Sequence, residues 1–212
     1  MNNKKKMILW PVFDKRNNVT IKQIEQFQLY AQLLQQWNKK MNLTAITDIE
    51  GIVEHHFQDS IEIAKFVDFK KYHTVADVGA GAGFPGIALK ILFPHVQLIL
   101  IEVNNKKIRF MQEVVGQLGL DDVHFVSDDW RTFLRASDIP IDLFLARASL
   151  QPVELLRIYK PSSIYKNAEL IYWASQHWRP SDATKAYIKD EKTYVVGDKK
   201  RRYIFFANKI SN

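Results

Sequence analysis

Apolar residues recur every three or four positions in two early stretches and then switch to short runs. Ile21, Ile24, Phe27, Tyr30, Leu34 and Trp37 follow a helical period behind Thr20-x-x-Gln23, a capping-box pattern. A second helix is predicted from Thr47-x-x-Glu50 through GIVEHHFQDSIEIAKFV, ending before DFKKYH. From Thr74 onward, runs that read as strands (TVADVG, VQLILIEV, VHFV, IDLFLARA, AELIYWAS) alternate with helical segments such as FPGIALKILF and NKKIRFMQEVVGQLG. Strand alternating with helix implies right-handed crossovers and a mainly parallel sheet covered on both faces. The last stretch, KTYVVGDKKRRYIFFANK, reads instead as two strands joined by a Gly-Asp turn. It predicts an antiparallel hairpin closing a seven-stranded sheet. The pattern divides the chain into an N-terminal helical extension, residues 1–70, and an α/β core, residues 71–212.

Composition narrows the class of protein. With 212 residues and 47% hydrophobic positions, the chain can bury an ordinary core. It has no cysteine, which removes disulfides, thiolate metal sites and a cysteine nucleophile, and suits a reducing compartment. The opening MNNKKKMILWPVFDKR has a signal-like charge pattern, but Pro11 and Asp14 cut its apolar run short. No stretch approaches a membrane span. A cytoplasmic protein with no membrane association follows from this reading; a monomer is expected.

Charge is unevenly placed. Of the formal +7, residues 1–22 hold six Lys/Arg against one acid and residues 185–212 hold eight against three, leaving sixteen bases and nineteen acids between. Basic ends on a slightly acidic body suit a polyanionic partner. Lys4, Lys5 and Lys6 at one end and Lys199, Lys200, Arg201 and Arg202 at the other are the candidate nucleic-acid contacts.

DVGAGAGFPG, residues 77–86, lies between the first core strand and its helix and contains G-x-G-x-x-G at Gly81, Gly83 and Gly86. A sheet of this kind places its ligand here. Asp77 separates two candidates: a carboxylate in the loop repels a dinucleotide pyrophosphate, but suits the α-ammonium of S-adenosylmethionine. Pro85 removes one amide that a phosphate would use. A nicotinamide-dependent oxidoreductase therefore fits less well. Glu102 ends the second strand where an acid accepts ribose hydroxyls, and Asp128, Asp129, Trp130 and Arg131 fall where an adenine would lie, with Trp130 able to cover the ring or to pack in the core. His55 and His56, adjacent on a helix, are not expected to share a face as metal ligands do, and no metal is expected.

Taken with NLTAITD (42–48), HFQDS (56–60), KKIRFMQEVVGQLGL (106–120), Arg147 in ARA and the closing ANKI (207–210), the glycine loop makes the chain resemble the GidB-type methyltransferases along nearly its whole length. These use S-adenosylmethionine to methylate guanine N7 in small-subunit ribosomal RNA. The resemblance implies a class I, Rossmann-like methyltransferase sheet and cofactor contacts from Gly79, Phe84, the main chain at Trp130 and Arg131, and Arg147. Asp77 and Glu102 are added on physical grounds, Gly81 and Gly83 as loop glycines. Arg147 is the candidate for orienting the target base or a phosphate. The sequence departs from the family at Glu102, usually Asp, at His55, usually Arg, at Ala174, usually Lys, and in a shortened RASL after Ala146. These departures make a relative that binds cofactor or RNA without efficient turnover the alternative function.

Overall fold

The computed structural model describes residues 3–208, with side chains from Leu9 onward. Helix α2, Ile21–Met41, starts at the expected capping box: Thr20 Oγ1 accepts from Gln23 N, and Gln23 Oε1 accepts from Thr20 N. It ends at Asn42, whose left-handed φ of 48° breaks the helical run. The next helical stretch, α3, spans 49–65. Its cap is Asp48, one residue after the Thr47 expected from sequence, because the Asp48 carboxylate reaches Gly51 N at 2.7 Å. Within α3, Ile52–Gln58 is a π-helical segment, and a tight 3-10 turn, Glu62–Lys65, closes it.

One helix was not legible in the apolar pattern. Asn3–Asn17, here α1, continues through Pro11 and places Phe13 against Phe27 with ring centroids 5.1 Å apart. Its helicity rests on this packing, since the segment has no amphipathic period of its own.

The sheet has the order β3-β2-β1-β4-β5-β7-β6. Strands β1 (Thr74–Val78), β2 (Gln97–Ile101), β3 (Val123–Val126), β4 (Leu143–Arg147) and β5 (Glu169–Ser175) are parallel. β6 (Ile188–Val196) and β7 (Lys199–Phe206) form the expected hairpin around Gly197-Asp198, and β7 runs antiparallel to β5. The crossovers are α4 (Gly86–Leu92), α5 (Asn105–Leu118), α6 (Trp130–Ala136), a turn of helix at 152–159, α7, and the short α8 (Asp182–Lys185). Strand β1 is buried at all five positions, as a central parallel strand should be.

Two layers cover the sheet. On one face Phe27, Tyr30, Leu34, Ile52 and Phe57 of the extension share one cluster with Ile87, Leu98, Leu100, Phe110 and Met111 of the core. On the other face Trp130, Phe133, Leu155 and Ile158 pack on Val78, Ile101, Phe144 and Ala146. The extension is thus built into the same apolar core as the sheet. Strand order reverses between β1 and β4, and the loops leaving their C-terminal ends open a crevice there.

Candidate functional site

The glycine loop requires its glycines. Gly79, Gly81 and Gly83 have φ of 69°, 61° and 88°, a region that side chains rarely adopt. At Gly79 a Cβ would lie 2.5 Å from the Cβ of Ser149, so the loops after β1 and β4 touch backbone to side chain. The Phe84-Pro85 peptide is cis.

Two adjoining cavities meet at this loop. One, about 380 Å³, is lined by Gly79, Glu102, Val103, Asp128, Asp129 and Trp130 among others. The second, about 330 Å³, is lined by Thr44, His55, His56, Gly81, Phe84, Arg147, Lys199 and Arg201 among others. Gly79, Lys107 and Ala148 belong to both, so the pair forms one elongated cleft across the sheet's reversal point. Each volume is in the range of small-molecule sites.

Glu102 is buried and tied down: Oε2 accepts from Gly81 N and Oε1 from Asn104 N, both at 2.9 Å, with Lys107 Nζ 4.0 Å away. A carboxylate has about four acceptor positions, so Glu102 keeps lone pairs for a ligand while bracing the loop. Trp130 packs in the core and also borders the first cavity. It stacks on Phe133 within the core, donates Nε1–H to the Glu154 carbonyl at 2.8 Å, and still walls the cavity.

Phe84 anchors the other half. Its ring lies between Tyr30 and His56, with centroids at 5.1 and 4.7 Å and planes within 14° and 7° of parallel. Arg147 stands 5.5 Å from the same ring. The Arg147 guanidinium is fixed by Asp59 Oδ2 at 2.7 Å, the His55 carbonyl at 3.2 Å and His56 Nδ1 at 3.3 Å. Because a guanidinium only donates, Nδ1 of His56 must hold a lone pair, and its Nε2–H donates to Thr44 Oγ1 at 2.8 Å. Burial, followed by the Arg147 charge, lowers the His56 pKa to about 3, so the imidazole is neutral.

Asp59 is the hub that the sequence reading missed. Fully buried, it binds Arg147, accepts from Tyr194 OH at 2.8 Å and lies 3.4 Å from Arg201 Nε. The motif HFQDS contained it, but no local pattern says that an acid on α3 meets cations from β4 and β7. Lys107 and Thr44 were missed for the same reason.

Several expected contacts take other positions. Asp77 does not line either cavity: it is fully buried under the loop, where Oδ2 accepts from Gly86 N at 2.7 Å and Oδ1 has no partner. Burial pushes its pKa up to about 7, against the lowering by Gly86 and Arg147. By taking the Gly86 amide, the carboxylate occupies the helix N-terminus that a diphosphate would need. Gly83 faces Tyr30 and Ile87 rather than the cleft. The Arg131 amide is bonded to Asp129, which caps α6, and its side chain pairs with Glu154 outside the cleft. Arg202 is held by Glu191 and by the Ser175 and Trp178 carbonyls, so it is no free phosphate ligand. Lys199 and Arg201 line the cleft, whereas Lys200 does not. His55 and His56 do border one cavity together, since the π-helical turn alters the spacing of side chains around the axis. The side chains of Lys4, Lys5 and Lys6, and the last residues of ANKI, lie outside the described residues.

A seven-stranded sheet of this order, with a glycine-rich loop after β1 at the reversal point, defines the class I S-adenosylmethionine-dependent methyltransferase fold. Among solved structures, the mitomycin 7-O-methyltransferase MmcR matches with TM-score 0.58 and 16% identity, covering 84% of this chain and 60% of that one. TrmK of M. capricolum, determined with S-adenosyl-homocysteine, matches with TM-score 0.54 and 19% identity over 72% and 69%. Within this fold, residues 23–205 match the GidB family, described as rRNA small subunit methyltransferase G, and the chain belongs to it. The ribosomal RNA small subunit methyltransferase G of Listeria innocua is 37% identical over 187 residues, 87% of this chain and 76% of that protein. Its counterpart in Geobacillus thermodenitrificans is 46% identical over 127 residues, 59% of this chain and 53% of its own length. The chain thus aligns with about half the length of the Geobacillus relative.

Proposed function

We propose that the protein transfers a methyl group from S-adenosylmethionine to guanine N7 in small-subunit ribosomal RNA, acting as a monomer in the cytoplasm on the RNA or its assembly particle. The observation that carries this reading is the continuous cleft across the sheet's reversal point, with Glu102 and Trp130 in one half and Phe84 and Arg147 in the other. Family membership supports it independently.

The residues present fit such a cofactor. Ser149 Oγ and His55 Nδ1 are buried polar atoms without a partner beside the cleft, and buried polar groups are normally satisfied. Glu102 has lone pairs to accept ribose hydroxyls, and Trp130 with Val103 offers apolar walls for the adenine. Gly79, where a side chain would strike Ser149, lets ligand and main chain approach closely. Gly81 and Phe84 border the half nearer Arg147.

When bound, the cofactor supplies an electrophilic methyl carbon that the N7 lone pair attacks as the carbon–sulfur bond breaks, its electron pair passing to sulfur. N7 has no proton to lose, so the site needs no general base. His56 agrees with this: both its nitrogens are engaged and its pKa of about 3 makes it a poor base near neutrality. Alignment then carries the catalysis, and well-oriented reactants lower a barrier by as much as roughly 7–11 kcal/mol. Arg147, fixed on three sides, would orient guanine O6 or a neighbouring phosphate with its remaining N–H groups. Lys199 and Arg201 add positive charge at the same opening.

The test is incorporation of labelled methyl into small-subunit RNA and into whole subunits, with mapping of the modified base. A 7-methylguanine in the RNA supports the reading. Tight cofactor binding without methyl transfer to either substrate would favour the non-catalytic relative.

A further inference from the structure

On the face of the sheet away from the N-terminal extension, a separate concavity of about 300 Å³ is lined by Arg131, Leu134, Arg135, Arg157, Lys160, Ser162 and Ser163. Four cations from α6 and from the end of α7 converge there, with Glu154 beside Arg131 and Arg157 and Asp129 near Arg135. This is a local concentration of positive charge within residues 23–184, where acids outnumber bases.

The three arginines are held in place. Glu154 Oε2 receives Arg131 Nε at 3.1 Å and Arg157 Nε at 2.8 Å, so one acid orients two guanidinium forks. Arg135 donates to Thr132 Oγ1 at 3.2 Å. The turn carrying Lys160 and the two serines is pinned by Ser163 N to the Lys160 carbonyl and by Tyr165 OH to the Ser137 carbonyl. Planar forks and hydroxyl donors suit a phosphate, and prior fixing reduces the entropy lost on binding it.

We infer that this pocket is a second RNA-backbone site, taking phosphates of the same substrate on the flank opposite Lys199 and Arg201. The inference rests on the function proposed above. Trp130 is the link: it walls the cofactor cavity, and its Nε1–H bonds to the carbonyl of the Glu154 that orients the arginines. An RNA strand spanning the cleft would thus be gripped on both sides of the reacting base.

The test uses full-length protein carrying Arg135→Gln and Lys160→Gln together, both exposed positions outside the cofactor cleft. Expected are a KM for small-subunit RNA raised roughly tenfold, unchanged kcat and unchanged affinity for S-adenosylmethionine. The slope of log affinity against log salt should shrink by about 1.4–1.8, the loss of two phosphate contacts. Arg135→Lys with Lys160 intact keeps the charge and should leave the salt slope near the parent's. Parent-like KM and salt slope in the double variant would overturn the inference while leaving methyl transfer intact. Unchanged affinity for protein-free RNA together with weakened binding to assembled subunits would also overturn it, by assigning the surface to a ribosomal protein. A parent protein that transfers no methyl group would instead strike the proposed function.

Discussion

Asp77 makes a pH-dependent contribution whose sign and size follow from its place under the loop. Burial raises its pKa from 3.8 to about 7, with the Glu102 charge adding to the rise and the Gly86 amide and Arg147 opposing it. Between these values the folded protein holds a proton that the unfolded chain has released. Stability must therefore fall as pH rises from about 4 to 7, by about 1.4 kcal/mol per unit and about 4 kcal/mol in all. His56 acts in the opposite sense: its pKa is lowered from 6.5 to about 3, so the unfolded chain takes up a proton first and stability rises with pH over that window. From pH 4 to 6.5 the two contributions nearly cancel in the parent. Asp77→Asn keeps an acceptor for Gly86 N and removes only the first of them. Denaturant unfolding of both proteins from pH 4.5 to 8 should show the variant gaining on the parent by about 1.4 kcal/mol per unit up to pH 7, then a constant difference. Curves that run parallel throughout would refute a proton on Asp77 in the folded state.

Other outcomes follow from the same geometry. Asp59→Asn leaves Arg147 and Arg201 without their buried counter-charge; it should cost about 3 kcal/mol in denaturant unfolding, and residual folded protein should keep cofactor affinity while losing kcat. Arg147→Lys cannot reach Asp59, the His55 carbonyl and His56 with a planar fork, so incorporation of labelled methyl into RNA should fall by at least tenfold. Gly79→Ala would set a Cβ 2.5 Å from Ser149 at a φ of 69°, and should abolish cofactor binding in calorimetric titration.

The alternation of strands and helices after Thr74 was legible because each element there follows its own period, and the Gly-Asp hairpin turn because glycine takes the left-handed conformation at Gly197. The capping box at Thr20 was equally local. Helix α1 was not legible, because its apolar residues meet partners that lie far along the chain, such as Phe27 and Phe57. The short α6 was hidden for a related reason: Asp129 caps it, yet the same residues also border the cavity and read as a ligand loop. Within the site, Glu102 could be placed from the end of its strand, and Phe84 only through the family resemblance that the glycine loop helps to carry. The burial of Asp77 and the meeting of Asp59 with Arg147 and Arg201 depend on tertiary proximity, which no spacing encodes. Charge counting found the basic termini but credited Arg202 with a freedom that its three partners remove.

Tyr30 reaches from α2 to the Ala82 carbonyl while stacking on Phe84, so a residue of the extension forms part of the glycine loop's own framework. Filling the cleft should accordingly slow amide exchange along α2 as well as within the loop, because opening either one breaks the same contacts. A fragment beginning at residue 71 would have a loop without its backing, and its affinity for S-adenosylmethionine should fall below that of the full chain.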